Sequence, residues 1–126
     1  MKQKKKILIV DDDLQFAGYI ALLLSNSGFI PRESYGWSHM REVIKEEPID
    51  AIILDMILPD KHGLTVLSEL KEWERSKHIP IVVLSSMDNY SYKQEAESHG
   101  AVEYLVKGNC SPDEVVAVVT KALLPI

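Results

Sequence analysis

Apolar runs and helix-patterned stretches alternate along this sequence from end to end, and that alternation constrains the fold more than any other feature. The runs are residues 6–10, Phe29 to Tyr35, Ala51 to Leu54, Ile81 to Leu84 and Val102 to Val106. The stretches between them repeat apolar residues at helical spacing. Helix 1 carries Phe16, Ile20, Leu23 and Leu24 on one face, helix 2 carries Met40, Val43 and Ile44, and helix 3 carries Leu64, Leu67, Leu70 and Trp73. Helix 4, over about residues 89–98, is the poorest, since Tyr90, Lys93, Gln94 and Glu97 give it little apolar stripe. Helix 5 turns Val115, Val118, Val119 and Ala122 inward. Five strands alternating with five helices imply an α/β fold, a parallel sheet with helices on both faces.

The boundaries carry their own signals. Gly28 stops helix 1 and Gly100 stops helix 4, as glycine does just past a helix end. Ser38 is the expected cap of helix 2, and Pro48 closes it. Pro80 opens strand 4, where a missing N–H is harmless. Ser111-Pro112-Asp113-Glu114 combines an N-cap serine, a proline at the first helical position and a capping-box glutamate. No linker, repeat or low-complexity segment interrupts the pattern, so residues 1–126 read as one domain with a basic tail over residues 1–5.

The strand sequences also predict their order. Strands 1, 3 and 4 are continuous apolar runs, as strands buried on both faces should be. Strand 2 contains Pro31, Arg32 and Glu33, and strand 5 contains Glu103. Proline and charge belong on sheet edges. The order is therefore 2-1-3-4-5, a doubly wound, flavodoxin-like sheet. Its chain direction reverses between strands 1 and 3, and ligands bind beyond the carboxyl ends of strands at such a switch point.

Chemistry-bearing residues sit at those ends. Asp11, Asp12 and Asp13 follow strand 1, Asp55 follows strand 3, Ser85 follows strand 4 and Lys107 follows strand 5. Asp12 or Asp13 serves as the cap of helix 1. One cap suffices, so the remaining acids need another reason. Converging carboxylates repel one another. A small hard cation relieves that repulsion, and Mg²⁺, which binds oxygen at about 2.0–2.1 Å, suits a site with few carboxylates. Asp55 could then act as a nucleophile toward phosphorus. Lys107 and Ser85 would hold phosphoryl oxygens.

Composition excludes several alternatives. The chain is 46% hydrophobic and 26% charged, which favours neither disorder nor a membrane protein. A net charge of −5 argues against direct nucleic-acid binding. The basic residues Lys2, Lys4, Lys5 and Lys6 read as a solvated tail. The longest apolar runs are too short to span a bilayer. The lysines after Met1 lead into a strand rather than a signal-peptide core. Cys110 is the only cysteine, which suits a reducing, cytoplasmic location. His39, His62, His78 and His99 show no metal-ligand spacing and read as surface or helix-end residues.

Ile-Leu-Ile-Val-Asp-Asp-Asp at 7–13, Leu-Asp-Met-Ile-Leu-Pro-Asp-Lys-His-Gly at 54–63, Leu-Ser-Ser at 84–86 and Tyr-Leu-Val-Lys at 104–107 resemble the receiver domain of two-component response regulators. The resemblance covers essentially the whole chain. It implies that Asp55 accepts a phosphoryl group from a histidine kinase or histidine phosphotransfer protein. It implies that Asp11, Asp12, Asp55 and the Ile57 carbonyl bind Mg²⁺, with Ser85 and Tyr104 as the switch pair and Lys107 as the phosphoryl-binding lysine. Phosphorylation would draw Ser85 toward Asp55, let Tyr104 turn inward and alter the helix 4–strand 5–helix 5 surface for an output domain or protein. Ile57 and Met87 would flank the path of hydrolytic water and set the lifetime. The sequence departs from the family at Gly108, where proline is usual, and at His62, where an acid is usual.

Two other readings remain in view. Haloacid-dehalogenase-like phosphohydrolases use an Asp-x-Asp pattern after their first strand, which Asp11-x-Asp13 superficially fits. They also need a second acidic motif after the lysine, and none occurs before Asp113-Glu114. The other alternative is an unphosphorylated, receiver-like interaction module. The main expectation is a phosphoacceptor switch rather than an enzyme.

Overall fold

A computed structural model describes residues 3–124; Lys2 of the basic tail and the terminal Pro125–Ile126 lie outside the described residues. The elements are β1 (Lys6–Val10), α1 (Leu14–Asn26), β2 (Ile30–Ser34), α2 (Trp37–Glu46), β3 (Ala51–Leu54), α3 (Gly63–Glu72), β4 (Ile81–Ser85), α4 (Tyr90–Ser98), β5 (Glu103–Val106) and α5 (Pro112–Ala122). All five strands are parallel, in the order β2-β1-β3-β4-β5. The edges are the strands that carry proline and charge, as predicted.

Alternate residues of the inner strands feed two cores. Leu8, Val10, Ile52, Leu54, Ile81 and Val83 pack under α2, α3 and α4. Ile7, Ile9, Ile53, Val82 and Leu84 pack under α1 and α5. β3 and β4 are buried throughout, so their backbone ends are held firmly where Asp55 follows β3 and Ser85 closes β4. α1 buries Ala17, Ile20 and Leu24, while Phe16 and Leu23 are only partly covered. α4 buries Ala96 alone, which makes it the helix with the least apolar attachment.

Helix ends follow local chemistry in most places. Asp13 caps α1 by accepting the Phe16 N–H at 3.1 Å. Beyond α1, Gly28 has φ +94°, a conformation that glycine adopts without a Cβ penalty. The Ser111 capping box forms as predicted.

Helix α2 is the exception. Its N-cap is Gly36, which has no side chain to offer, and Ser38 does not serve as the cap. The oxygens of Asp60 do so from the loop between β3 and α3, accepting Trp37 N–H at 2.9 Å and Ser38 N–H at 3.1 Å. The same loop is compressed where it enters α3. A Cβ on Gly63 would lie 2.6 Å from the Met56 carbonyl oxygen, so only glycine permits that approach.

The Trp37 N–H bond, opposed by slight desolvation and helped by the Ser38 N–H, holds the exposed Asp60 carboxyl below its usual range. The associated stability is complete above the unfolded carboxylate pKa and disappears as pH falls through the folded one. Asp60→Ala should therefore lower stability at neutral pH by about 1 kcal/mol, the usual cost of a lost cap. Urea denaturation of both proteins should show that difference shrinking under acid.

Candidate functional site

The rim is built by the ends of three neighbouring strands. The Asp11 N–H donates to the Ser34 carbonyl at 2.9 Å, and the Asp55 N–H donates to the Val10 carbonyl at 2.9 Å. These backbone bonds fix β1 against β2 and β3 at the positions where the acids emerge. Asp11 Oδ1 accepts the Asp13 N–H at 2.9 Å, and Asp55 Oδ1 accepts the Ile57 N–H at 3.1 Å. Each carboxylate thus has one oxygen tied to its own loop and one left for chemistry.

Lys107 meets the other oxygens. Its Nζ lies 2.8 Å from Asp11 Oδ2 and 3.2 Å from Asp55 Oδ2. All three side chains are largely shielded from water, with 16% exposure for the lysine against 4% for Asp11 and 7% for Asp55. Burial would depress the ammonium, but its hydrogen bond to Asp11 and the charges of both aspartates outweigh that and raise its pKa. Asp11 is also raised. Burial is the main cause and the nearby Asp55 charge adds to it, against the downward pull of Lys107 and the Asp13 N–H. One ammonium does not fully offset two buried carboxylates.

Oxygen atoms from Asp11, Asp12 and Asp55 all come within 4.8 Å of one another. Hard carboxylate oxygens so grouped can hold a divalent cation. Asp12 is exposed at the mouth of this group. The Ile57 backbone is fixed by its bond to Asp55 and by an antiparallel bridge to His62. Asp13 is engaged as the α1 cap, which removes one half of the Asp11-x-Asp13 pattern required by the dehalogenase-like reading.

Ser85 ends β4 and is fully buried. Its Oγ accepts the Met87 N–H at 3.3 Å, and the Met87 carbonyl accepts the Tyr104 hydroxyl at 2.8 Å. Tyr104 is only 3% exposed. The ring lies inward in this structure. Apolar packing against α3 and α4 residues, together with the Met87 bond, accounts for that position. The Lys107–Gly108 bond is trans, and Lys107 reaches both acids without the usual proline.

Three contacts near the site were not predicted. Asp60 caps α2 from the β3–α3 loop. His62 caps α3 by accepting the Leu64 N–H, and its Nε2 meets the Tyr92 hydroxyl of α4 at 3.4 Å. The face of Phe16 lies under Lys107, with 4.5 Å between Nζ and the ring centroid. His62 as a helix-end residue agrees with the sequence. The His62–Tyr92 bond and the contacts of Asp60 and Phe16 join residues far apart in the chain, and no local pattern marks them.

The receiver profile, described as the response regulator receiver domain, matches residues 7–120. The chain belongs to the response regulator receiver family. Among curated proteins, it is similar to the regulatory protein VanR of Enterococcus faecium, at 35% identity over 81% of this chain and 43% of that one. It is also similar to the phosphate regulon transcriptional regulatory protein PhoB of Pseudomonas aeruginosa, at 34% identity over 90% of this chain and 49% of that one. The chain spans about half the length of the curated relatives it matches. Among solved structures, the BeF3-activated N-terminal receiver domain of Klebsiella pneumoniae RstA superposes with a TM-score of 0.87 at 29% identity, covering 96% of this chain and all of that one. Receivers of this family are signalling switches. No helix among the described residues is long and apolar enough to cross a membrane.

Removing Asp12 takes one charge from the crowded group without touching the Lys107 bridge. Asp12→Ala should leave the metal-free protein as stable as the wild type or more so. It should also weaken Mg²⁺ binding at least about tenfold, which is about 1.4 kcal/mol of lost stabilisation at saturating metal. Thermal or urea unfolding with and without Mg²⁺ measures both effects, and equal stabilisation of the two proteins would contradict the ligand role.

Proposed function

We propose that this chain is a phosphoacceptor switch of a two-component phosphorelay. In this reading Asp55 takes a phosphoryl group from the phosphohistidine of a histidine kinase or histidine phosphotransfer protein. The observation that carries it is the convergence of Asp11, Asp12 and Asp55 within 4.8 Å, with the Lys107 ammonium on Asp55, in a member of the receiver family.

A carboxylate oxygen of Asp55 attacks phosphorus, an O–P bond forms, and the N–P bond to the donor imidazole breaks. The departing imidazole keeps the N–P electron pair and takes its proton from water. Asp11, Asp12, Asp55 and the Ile57 carbonyl would hold Mg²⁺, which supplies charge neutralisation to the transferring group when bound. Lys107 stays protonated through the transfer and turns its ammonium to a phosphoryl oxygen. The Ser85 hydroxyl, at the end of the next strand, donates to another oxygen. The transfer is stoichiometric rather than a turnover reaction, which separates this protein from a phosphohydrolase. The reducing cytoplasm, where kinases of this class present their histidines, is the location this reading requires.

The switch follows from bonds already described. If Ser85 moves to the phosphoryl group, its contact with the Met87 N–H loosens. Met87 also accepts the Tyr104 hydroxyl, so the same movement reaches β5 and the end of α4. Because the Tyr104 hydroxyl is bonded to the Met87 carbonyl, repositioning of the ring and of the Met87 segment would be coupled, and α4, which has one buried residue to hold it, would respond. An output domain or protein would read that surface. The shift requires that the phosphoryl group interact differently with the two arrangements.

Acetyl phosphate with Mg²⁺ should add one phosphoryl group to the wild type and none to Asp55→Asn, as measured by intact mass. Equal labelling of the two would refute Asp55 as the acceptor. No labelling of either would favour a receiver-like interaction module.

The lifetime of the product is a separate expectation. By the receiver resemblance Ile57, which is 52% exposed, and the half-buried Met87 would flank the approach to Asp55, and their apolar side chains cannot orient a water by hydrogen bonding. Self-dephosphorylation should therefore be slow, and Ile57→Asn combined with Met87→Glu should speed it. Decay of the phosphoprotein after donor removal measures this, and an unchanged or slower rate in the double variant would place control elsewhere.

A further inference from the structure

Lys107 reaches the rim from a short turn just past β5. It opens a short 3₁₀ turn, Lys107–Asn109, whose N-cap residue Val106 makes no side-chain capping bond. Gly108 follows, and a Cβ there would meet nothing within 4 Å, so neither a side chain nor close packing stiffens the turn at that residue. The lysine stem is long and rotamer-rich, and ordering it carries an entropic cost. Three contacts fix its head: Asp11 Oδ2, Asp55 Oδ2 and the Phe16 ring face at 4.5 Å. The two carboxylates change partners when a cation or a phosphoryl group binds. The ring does not.

Phe16 is itself well placed. Its N–H is capped by Asp13, and the following N–H, of Ala17, donates to the Asp13 carbonyl at 2.9 Å. Its ring packs against the core beneath α1 and α5 and lies 6.3 Å from the Tyr19 ring at a tilt of 52°. The strand-1 acid run thus holds the first turn of α1, and that turn presents an aromatic face to the ammonium. An aromatic face attracts a cation, more so where both are shielded from water.

We propose that Phe16 is a positioning residue for Lys107, its ring face holding the ammonium at the acceptor aspartate where Gly108 gives the backbone no comparable restraint. The proposal rests on the reading of Asp55 as phosphoacceptor for its effect on rate, but not for its geometry. A ring face suits the task because it carries no net charge. It does not compete with phosphoryl oxygens for the ammonium's hydrogen bonds. It also lets the ammonium slide from a carboxylate oxygen to a phosphoryl oxygen without leaving its support.

The test compares wild type, Phe16→Leu, Phe16→Tyr and a protein with a multiply fluorinated phenylalanine at position 16, which keeps the ring's shape and drains its negative face. Phe16→Leu should slow phosphorylation by saturating acetyl phosphate about 3- to 30-fold, the range a partly shielded cation–ring contact supports. Phe16→Tyr should recover most of the rate, and the fluorinated ring should fall between. In a Lys107→Met background, Phe16→Leu should cost less than about twofold, since the two residues act as a unit. By NMR, the Lys107 side-chain protons next to the ammonium should be shifted upfield by the ring in wild type and not in Phe16→Leu. A packing role alone predicts equal loss in both backgrounds and no effect of fluorination, and either result overturns the proposal. If wild type takes no phosphoryl group, the functional reading fails. The upfield shift still decides the positioning: its presence in wild type alone supports it, and its absence from wild type overturns it.

Discussion

The Lys107 ammonium between the Asp11 and Asp55 carboxylates is the contact on which the rim depends. Two strands of a parallel sheet end side by side in acids, and burial makes their mutual repulsion costly. The lysine from the far edge of the sheet offsets part of that charge and spans the carboxyl ends of β3 and β4 to do so. The offset is incomplete, because Asp12 adds a third carboxylate at the mouth. A group of acids with one ammonium is therefore poised to accept more positive charge, and it is the same group that a phosphoryl transfer needs neutralised. Charge crowding and function have one physical origin here.

The loops around that contact are joined by side chains rather than by length. Asp60 ties the loop after Asp55 to the start of α2. Met87 ties Ser85 to Tyr104 through its two backbone groups. His62 ties the same loop after Asp55 to α4 through Tyr92. Bonds thus run from the loop after Asp55 to α4, and from Ser85 through the Met87 segment to β5. α4 is the element least held by apolar contacts, so the bonds that reach it matter in proportion.

Much of this was legible in the sequence. Pro31, Arg32, Glu33 and Glu103 marked the edges of the sheet, and continuous apolar runs marked its centre, so the strand order followed. That order alone brought Asp11 and Asp55 to neighbouring positions. The α5 capping box was readable because its partners lie three residues apart. What escaped was long-range. Ser38 has the right chemistry for a cap, yet Asp60 occupies the place from 22 residues away, with both of its oxygens turned to the helix N-terminus. Phe16 looked like an ordinary core residue of α1, because nothing in a helical stripe tells that a lysine some 90 residues later will lie on its face. The inward position of Tyr104 depends on a carbonyl in a neighbouring loop, and pattern alone cannot specify it.

The central claim is that one particular carboxylate at this rim takes the phosphoryl group, with the acids beside it holding the metal. Borohydride reduction of the phosphorylated protein converts the modified aspartate to homoserine, and tandem mass spectrometry of the peptides then locates it. The account requires homoserine at position 55 alone, and only when Mg²⁺ is present during phosphorylation. Homoserine at position 11 or 12, or equal conversion in the presence of a chelator, would contradict it.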